Sequence, residues 1–315
     1  MSCVSPQLLA DLKPLLLGLE ADLRELCRER PDVDEPLRSE WASAREANRT
    51  ASAYEPWREE LLTQVAVAWV LACVFVRFCE DNDLVEAPWL SGPGLRRQRA
   101  LDQRQHYFQQ HPTETDREYL YDVFEQMARL PGLGDLFDKR HNPLWRVGLS
   151  GDGATKLLAF WQRIDPATGQ LAHDFSDPEW DTRFLGDLYQ DLSESARKKY
   201  ALLQTPTFVE EFILDRTLEP AIAEFGHREV RLIDPTCGSG HFLLGAFARL
   251  LRRWQLTHPA ANPRDLVQKA LDQVFGVDLN PFAVAIARFR LLLAALQASG
   301  IPRLRDAPAF QMNLA

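Results

Sequence analysis

Cysteine is sparse and unpatterned: Cys3, Cys27, Cys73, Cys79 and Cys237 are scattered, with no Cys-x-x-Cys pair. That spacing argues against a zinc site or a disulfide framework and for reduced thiols in the cytoplasm. A basic surplus is also missing. The formal net charge is −9, so the chain as a whole is not a basic nucleic-acid module. A DNA contact would need a local patch or another part of a larger protein. The opening MSCVSPQLLADLK has no basic stretch followed by an apolar one, so no signal peptide is read. The longest apolar run, residues 65–76, is too short to span a bilayer and is closed by Arg77. No membrane association is expected. Internal repeats and low-complexity tracts are absent.

What remains is ordinary globular composition, 46% hydrophobic and 26% charged over 315 residues. That length allows two domains, each able to bury a core. Leucines at 8, 9, 12, 15, 16, 19, 23 and 26 lie on one broad helical face, with Pro14 as a possible kink. Residues 29–53 are polar and read as containing a loop. Residues 55–80 read as a strongly apolar helix that ends in Glu80-Asp81-Asn82-Asp83. This acidic cluster reads as a solvated helix end; the loop spacing of a calcium site is absent. Residues 95–111 interleave Arg96, Arg97, Arg99 and Arg104 with His106, Tyr107 and Phe108. Either an exposed amphipathic helix or a nucleic-acid surface has that composition. Thr115-x-x-Glu118 is a capping box, predicting a helix over 116–130. Further helices are expected over 155–164 and 184–200. Pro206 forces Thr205 into an extended elbow. Thr207-x-x-Glu210 repeats the capping-box pattern and predicts a helix to about Phe225.

The sequence VRLIDPTCGSGHFLLG, residues 230–245, is the centre of the chain. A β-branched and aliphatic run ends at Asp234, a small-residue loop follows, and a helical pattern begins. Strand, glycine turn and helix together form the first unit of a nucleotide-binding α/β sheet. Gly238 and Gly240 let the chain turn sharply and let a ligand approach the backbone. The helix start presents unpaired N–H groups. Residues 273–280, QVFGVDLN, repeat the pattern, with Pro281 opening the next helix. Asp278 therefore ends a second strand beside the glycine turn, where an acidic residue can bind ribose hydroxyls. An extra helix over 265–272 explains the long gap between the two motifs. Residues 308–314 look like a third strand. A phosphate-binding loop, G-x-x-x-x-G-K-[ST], is absent, and position 243 holds Leu where a nicotinamide fingerprint has Gly.

The string Asp-Pro-x-Cys-Gly-x-Gly-x-Phe (234–242) resembles motif I of S-adenosylmethionine-dependent DNA amino-methyltransferases. Gly276-Val-Asp278-Leu-Asn280-Pro281 is similar to their motif II. Thr205-Pro206 and the helix after it resemble their motif X. These motifs cover roughly residues 185–296. Earlier, VLACVFVRFCEDNDLVE and LGDLYQDLSESARKKYALLQTP resemble the PglX adenine methyltransferases of phage-growth-limitation (BREX) defence, and more loosely type I modification subunits and fused restriction-modification enzymes.

The resemblance implies an α/β fold: a mostly helical N-terminal domain (1–180), then the start of a Rossmann-like methyltransferase domain (181–315). It implies S-adenosyl-L-methionine as cofactor and, through a longer parent protein, double-stranded DNA as substrate, with other defence-system proteins as partners. Thr205 would touch the methionine end of the cofactor and Asp234 would lie under its amino group. Thr236, Cys237, Gly238 and Gly240 would line it through the loop backbone. Asp278 would take both ribose hydroxyls, and Leu279 would pack on the adenine. Cys237 is expected to serve as a small residue, not a nucleophile, because this family transfers methyl directly to nitrogen. The Asn/Asp-Pro-Pro-Tyr/Phe loop of such enzymes, which holds the flipped base, has no match among the 315 residues. The chain is thus expected to be the N-terminal portion of an adenine-specific methyltransferase, inactive alone and weak in cofactor binding. A non-catalytic cofactor-sensing or partner-docking subunit is the alternative.

Overall fold

The computed structural model describes residues 6–192 and 206–315. Chain order begins with α1 (Pro6–Glu29), α2 (Pro31–Glu46), α3 (Tyr54–Asp81), α4 (Leu95–Gln110), α5 (Asp116–Ala128), α6 (Gly151–Trp161) and α7 (Arg183–Leu192). It continues with α8 (Thr207–Phe225), β1 (Leu232–Asp234), α9 (His241–Thr257), α10 (Pro263–Leu271), β2 (Val274–Gly276), α11 (Pro281–Ala298) and β3 (Asn313–Leu314). Among the described residues the chain is mostly helical, with one small sheet. Thr205 and the basic end of the expected 184–200 helix lie outside the described residues.

α3 is the axis of the larger core. Its residues from Val65 to Cys79 are each at most 3% exposed. A helix that is apolar on every side must be surrounded, and α1, α2, α5, α6 and α7 all pack on it. The whole helix, longer than the apolar run read from the sequence, is long and apolar enough to cross a membrane, yet 89% of its apolar window is buried within this fold. α11 meets the same criterion with 72% of its window buried. Phe75 of α3 meets Phe289 of α11 edge-on, with ring centroids 5.7 Å apart. α11 therefore has one side in the helical core, through Ile286, Phe289, Leu293 and Leu296. Its other side, through Val284, Ala287, Leu291 and Ala295, joins a second core with α9 and α10.

The loop expected within residues 29–53 lies over 47–53, after α2, which opens on Pro31 at its first turn with Asp32 and Asp34 beside it. Other local expectations are corrected. The acidic cluster at the end of α3 is not a solvated helix end, because Glu80 and Asp81 are buried. Glu80 accepts hydrogen bonds from the N–H groups of Trp89, Leu90 and Ser91. Asp81 takes Arg77 on both oxygens, at 3.2 and 2.9 Å. Among the described residues no cluster of His, Cys, Asp and Glu could hold a metal. On α4, Arg96, Arg97 and Arg104 bond Asp83, the Gln162 carbonyl and Asp116. Tyr107 and Phe108 pack on Tyr119. The amphipathic-helix reading of this stretch is the one the contacts support. The capping box at Thr115 forms as expected. The one at Thr207 does not, since Pro206 is the N-cap residue and Glu210 is buried against Arg183 at 3.1 Å.

The sheet is parallel, ordered β1-β2-β3. Its register pairs Asp234 with Gly276, and Gly276 with Leu314. Strands β1 and β2 are joined through α9 and α10, and β2 and β3 through α11, so both connections are helical, as parallel pairing requires. All the strand ends that carry the motifs therefore emerge at one edge. The third strand is shorter than residues 308–314 and includes only Asn313 and Leu314.

Candidate cofactor site

The loop after β1 is built by local hydrogen bonds. Thr236 N–H donates to Asp234 Oδ1 at 3.1 Å. Gly240 N–H donates to the Cys237 carbonyl at 2.9 Å, closing the turn. Gly238 and Gly240 have φ values of 52° and 86°, in the left-handed region that glycine enters without steric cost. Gly240 has a second constraint: a Cβ there would lie 2.9 Å from Ala287 Cβ of α11. α9 then starts directly at His241.

The two motifs lock together at the strand ends. Val277 N–H donates to the Asp234 carbonyl at 2.9 Å, and Cys237 N–H to the Val277 carbonyl at 3.0 Å. Asp278 Oδ2 accepts from Gly238 N–H at 2.9 Å, and its Oδ1 from Asn280 N–H at 2.8 Å. Its own N–H donates to the Ala315 carbonyl at 3.0 Å. The carboxylate is thus fixed by two backbone donors, while each oxygen keeps a lone pair for a further donor. Asp278 is half-buried and Leu279 beside it is 92% exposed. Gly276 makes the close approach of loop and strand feasible. A Cβ at this position would meet Leu243 Cδ1 at 2.6 Å and Cys237 Sγ at 3.1 Å.

Of the site residues expected from sequence, Asp234, Thr236, Cys237, Gly238, Gly240, Asp278 and Leu279 all fall in this one loop pair. Thr205 lies outside the described residues. Burial raises the Asp234 carboxyl above its ordinary range, and the nearby Asp278 charge adds to the shift. Burial pushes the Cys237 thiol up to about 12, so it carries a proton at neutral pH.

Behind the loop lies a polar layer that sequence reasoning did not find. Arg290 of α11 is 2% exposed. It donates to the Ser239 carbonyl at 2.6 Å and to Thr182 Oγ1 at 3.2 Å. Burial lowers its pKa to about 10, which leaves it charged at neutral pH. His241 Nδ1 lies 3.5 Å from Arg290 Nη2, and burial, with Arg290 and Arg183 nearby, lowers the imidazole to about 3. A neutral His241 forms no ion pair with Asp187, whose Oδ1 stands 3.6 Å from Nε2. The available signal was Arg290 itself, a cation between the apolar residues Phe289 and Leu291–Leu293 of α11. A cavity of about 1230 Å³ adjoins this layer, lined by Thr182, Asp187, His241 and Arg290 and by the α9 residues Phe247 and Leu251. Neither Asp234 nor Asp278 is among its described lining residues, so it is separate from the mouth of the loop pair.

Comparison with known proteins gives this geometry a setting. Residues 221–308 match the DNA-methyltransferase domain of the MmeI family. Over 312 residues the chain is 51% identical to the adenine-specific methyltransferase PglX of Streptomyces coelicolor, covering 96% of this chain and 26% of that protein. Over 91 residues it is 30% identical to a Methanocaldococcus jannaschii protein whose name assigns it provisionally as a type II restriction enzyme and methyltransferase. That match covers 27% of this chain and 8% of the relative. The resemblance to PglX-type adenine-specific methyltransferases is therefore shown along nearly the whole chain, which spans about a quarter of the PglX length.

Proposed function

We propose that this chain is the cofactor-binding part of a DNA adenine methyltransferase that uses S-adenosyl-L-methionine and serves a BREX-like defence system. The observation that carries the reading is the anchored Asp278 carboxylate at the mouth of the glycine turn. Two backbone N–H groups orient it, and its remaining lone pairs suit the two hydroxyls of a ribose. Its neighbour Leu279 offers an apolar surface for an adenine ring. Asp234, held above its ordinary range by burial and by Asp278, suits a cationic group, because a positive neighbour favours the charged carboxylate and offsets the Asp278 charge. The glycine turn admits a ligand against the backbone of residues 236–238. These features fit the nucleoside and amino-acid ends of S-adenosylmethionine. Thr205, carried over from the resemblance, would complete the methionine end.

When bound, the cofactor supplies an electrophilic methyl group. The residues described here bind and orient it: Asp278 takes the ribose, Leu279 the base, and Asp234 the amino group. In this reading residues 181–315 begin a Rossmann-like domain, and residues 1–180 form the helical domain against which it packs. The groups that hold the target adenine lie outside these 315 residues, and double-stranded DNA is reached through them.

The test is calorimetric titration of S-adenosylhomocysteine and S-adenosylmethionine. Asp278→Ala is expected to weaken binding by about 1.5–3 kcal/mol, the range for hydrogen bonds to a charged acceptor. Unchanged affinity would remove the assignment of Asp278.

A further inference from the structure

α7 reaches the cofactor loop from the helical core. Gly186 brings the helix so close that a Cβ would lie 2.4 Å from Ser239 Oγ. One turn on, Tyr189 accepts a hydrogen bond from Asn280 Nδ2 at 2.5 Å. The amide of Asn280 has only one workable orientation. Its Oδ1 accepts from Phe282 N–H at 3.0 Å and caps α11, so its NH₂ must face Tyr189. Asn280 is 8% exposed, and without the tyrosine oxygen that NH₂ would lose its acceptor in a buried place. From Asn280 the chain of contacts runs on through its N–H to Asp278 Oδ1 at 2.8 Å, and from Asp278 Oδ2 to Gly238 N–H at 2.9 Å. A second tie runs parallel. Arg290 links Thr182, the residue before α7, to the Ser239 carbonyl. Among the described residues the hydrogen bonds of Arg290 go to neutral acceptors, one of them in the loop, while the Asp187 charge nearby also stabilises the cation.

We propose that Tyr189 is a positioning residue for the cofactor site, holding Asp278 against Gly238 through Asn280. The inference rests on the reading of Asp278 as a ribose ligand. Its consequence is that the helical region and the cofactor loop are coupled, because α7 packs on α3 and touches both motifs. Tyr189→Phe removes only the hydroxyl and keeps the ring that meets Phe282 edge-on at 5.5 Å.

The experiment uses the 315-residue chain with two readouts. Amide hydrogen exchange at Gly238 and Asn280 is measured without ligand, and S-adenosylhomocysteine is titrated by calorimetry. In Tyr189→Phe, exchange at both amides is expected to rise about fivefold and the dissociation constant to rise by a similar factor, the effect of one neutral hydrogen bond. Stoichiometry is expected to stay unchanged, and the melting temperature to fall by no more than the few degrees that one unsatisfied buried group costs. Unchanged exchange overturns this inference alone and leaves Asp278 in place. A drop in stoichiometry at constant affinity also overturns it, because that is the mark of a merely structural role. Unchanged affinity in Asp278→Ala removes the ribose assignment, whatever the exchange rates do, and this inference with it.

Discussion

Two pairs of carboxylates in this molecule are used in opposite ways. Glu80 and Asp81, at the end of α3, are fully engaged: three backbone N–H groups on one, and Arg77 with the Phe175 N–H on the other. Both side chains are buried. Asp234 and Asp278, at the strand ends, are half-buried. Asp234 accepts one backbone donor, from Thr236, and Asp278 accepts two. The first pair fastens the loop over 89–91 and the segment at 173–175 to the core helix. The second is oriented by the backbone yet keeps acceptor capacity at an opening. A carboxylate that is buried and nearly saturated with donors is part of the scaffold. One that is held still and left unsaturated suits a ligand. The contrast can be broken by experiments in which the first pair affects stability and the second affects binding.

The largest effect is expected at Glu80. Glu80→Ala strands three N–H donors, two of them at the buried Leu90 and Ser91. At about 1–3 kcal/mol per unsatisfied buried group, denaturant unfolding is expected to show a loss of about 2–6 kcal/mol. A loss below about 1 kcal/mol would break the comparison. Next comes the pH dependence of the same residue. Burial raises the Glu80 carboxyl from 4.5 to about 7. Between those values the folded state keeps a proton that the unfolded chain has released, so this residue makes stability fall as pH rises through the window. The upper bound is about 3 kcal/mol, from 1.36 kcal/mol per unit. Glu80→Gln is expected to flatten that part of the profile in chemical denaturation from pH 4.5 to 7.5, and an unaltered slope counts against it.

At the strand ends the sign differs for binding. Asp234 is also raised, so its own contribution to stability falls as pH rises through its folded pKa. Affinity for a cationic ligand moves the other way and rises over the same interval, as the carboxylate forms. Gly276→Ala tests the packing that brings the loop to the strand. Its Cβ would press on Leu243 and Cys237, and overpacking of this kind costs about 1–3 kcal/mol. Thermal melts are expected to register that loss, and an unshifted melt would mean that the loop can move aside.

The difference between the pairs also explains what could be read from sequence. The strand–turn–helix units at 230–245 and 273–296 were legible because glycine turns and Pro281 at a first helical turn are local chemistry. Asp234 and Asp278 inherit their places from that pattern. The acidic cluster at Glu80 was misread because its burial comes from segments far along the chain, residues 89–91 and 175. Thr207-x-x-Glu210 has the letters of a capping box, but Glu210 is drawn to Arg183, a partner that local spacing does not reveal. The loop read within residues 29–53 is present over 47–53, but the helix before it, started by Pro31 and buried through Leu37, was not assigned, because its polar composition carries little apolar periodicity. Tyr189 stands in the string LGDLYQDL that resembles the family, but its contact with Asn280, like the contacts of Arg290, is tertiary, so the sequence assigned neither residue a role.

The smallest expected effect concerns Cys237, the one thiol in the glycine turn. It is 6% exposed, and burial, with the charges of Asp234 and Asp278, pushes it up to about 12. A nucleophilic cysteine needs the reverse environment, with cations or a helix start that stabilise the thiolate. Here the two carboxylates that suit a cofactor also keep the thiol protonated. Iodoacetamide labelling of Cys237, followed by peptide mass spectrometry, is expected to be slow. Its rate should go on rising with pH through 10, with no plateau near 9, the ordinary thiol value. Cys237→Ala is expected to bind S-adenosylhomocysteine with nearly unchanged affinity, because the loop uses this residue for its small size and its backbone N–H to Val277. A labelling plateau near pH 7 would mean that the turn activates the thiol, and the two acidic residues could not then be arranged as described.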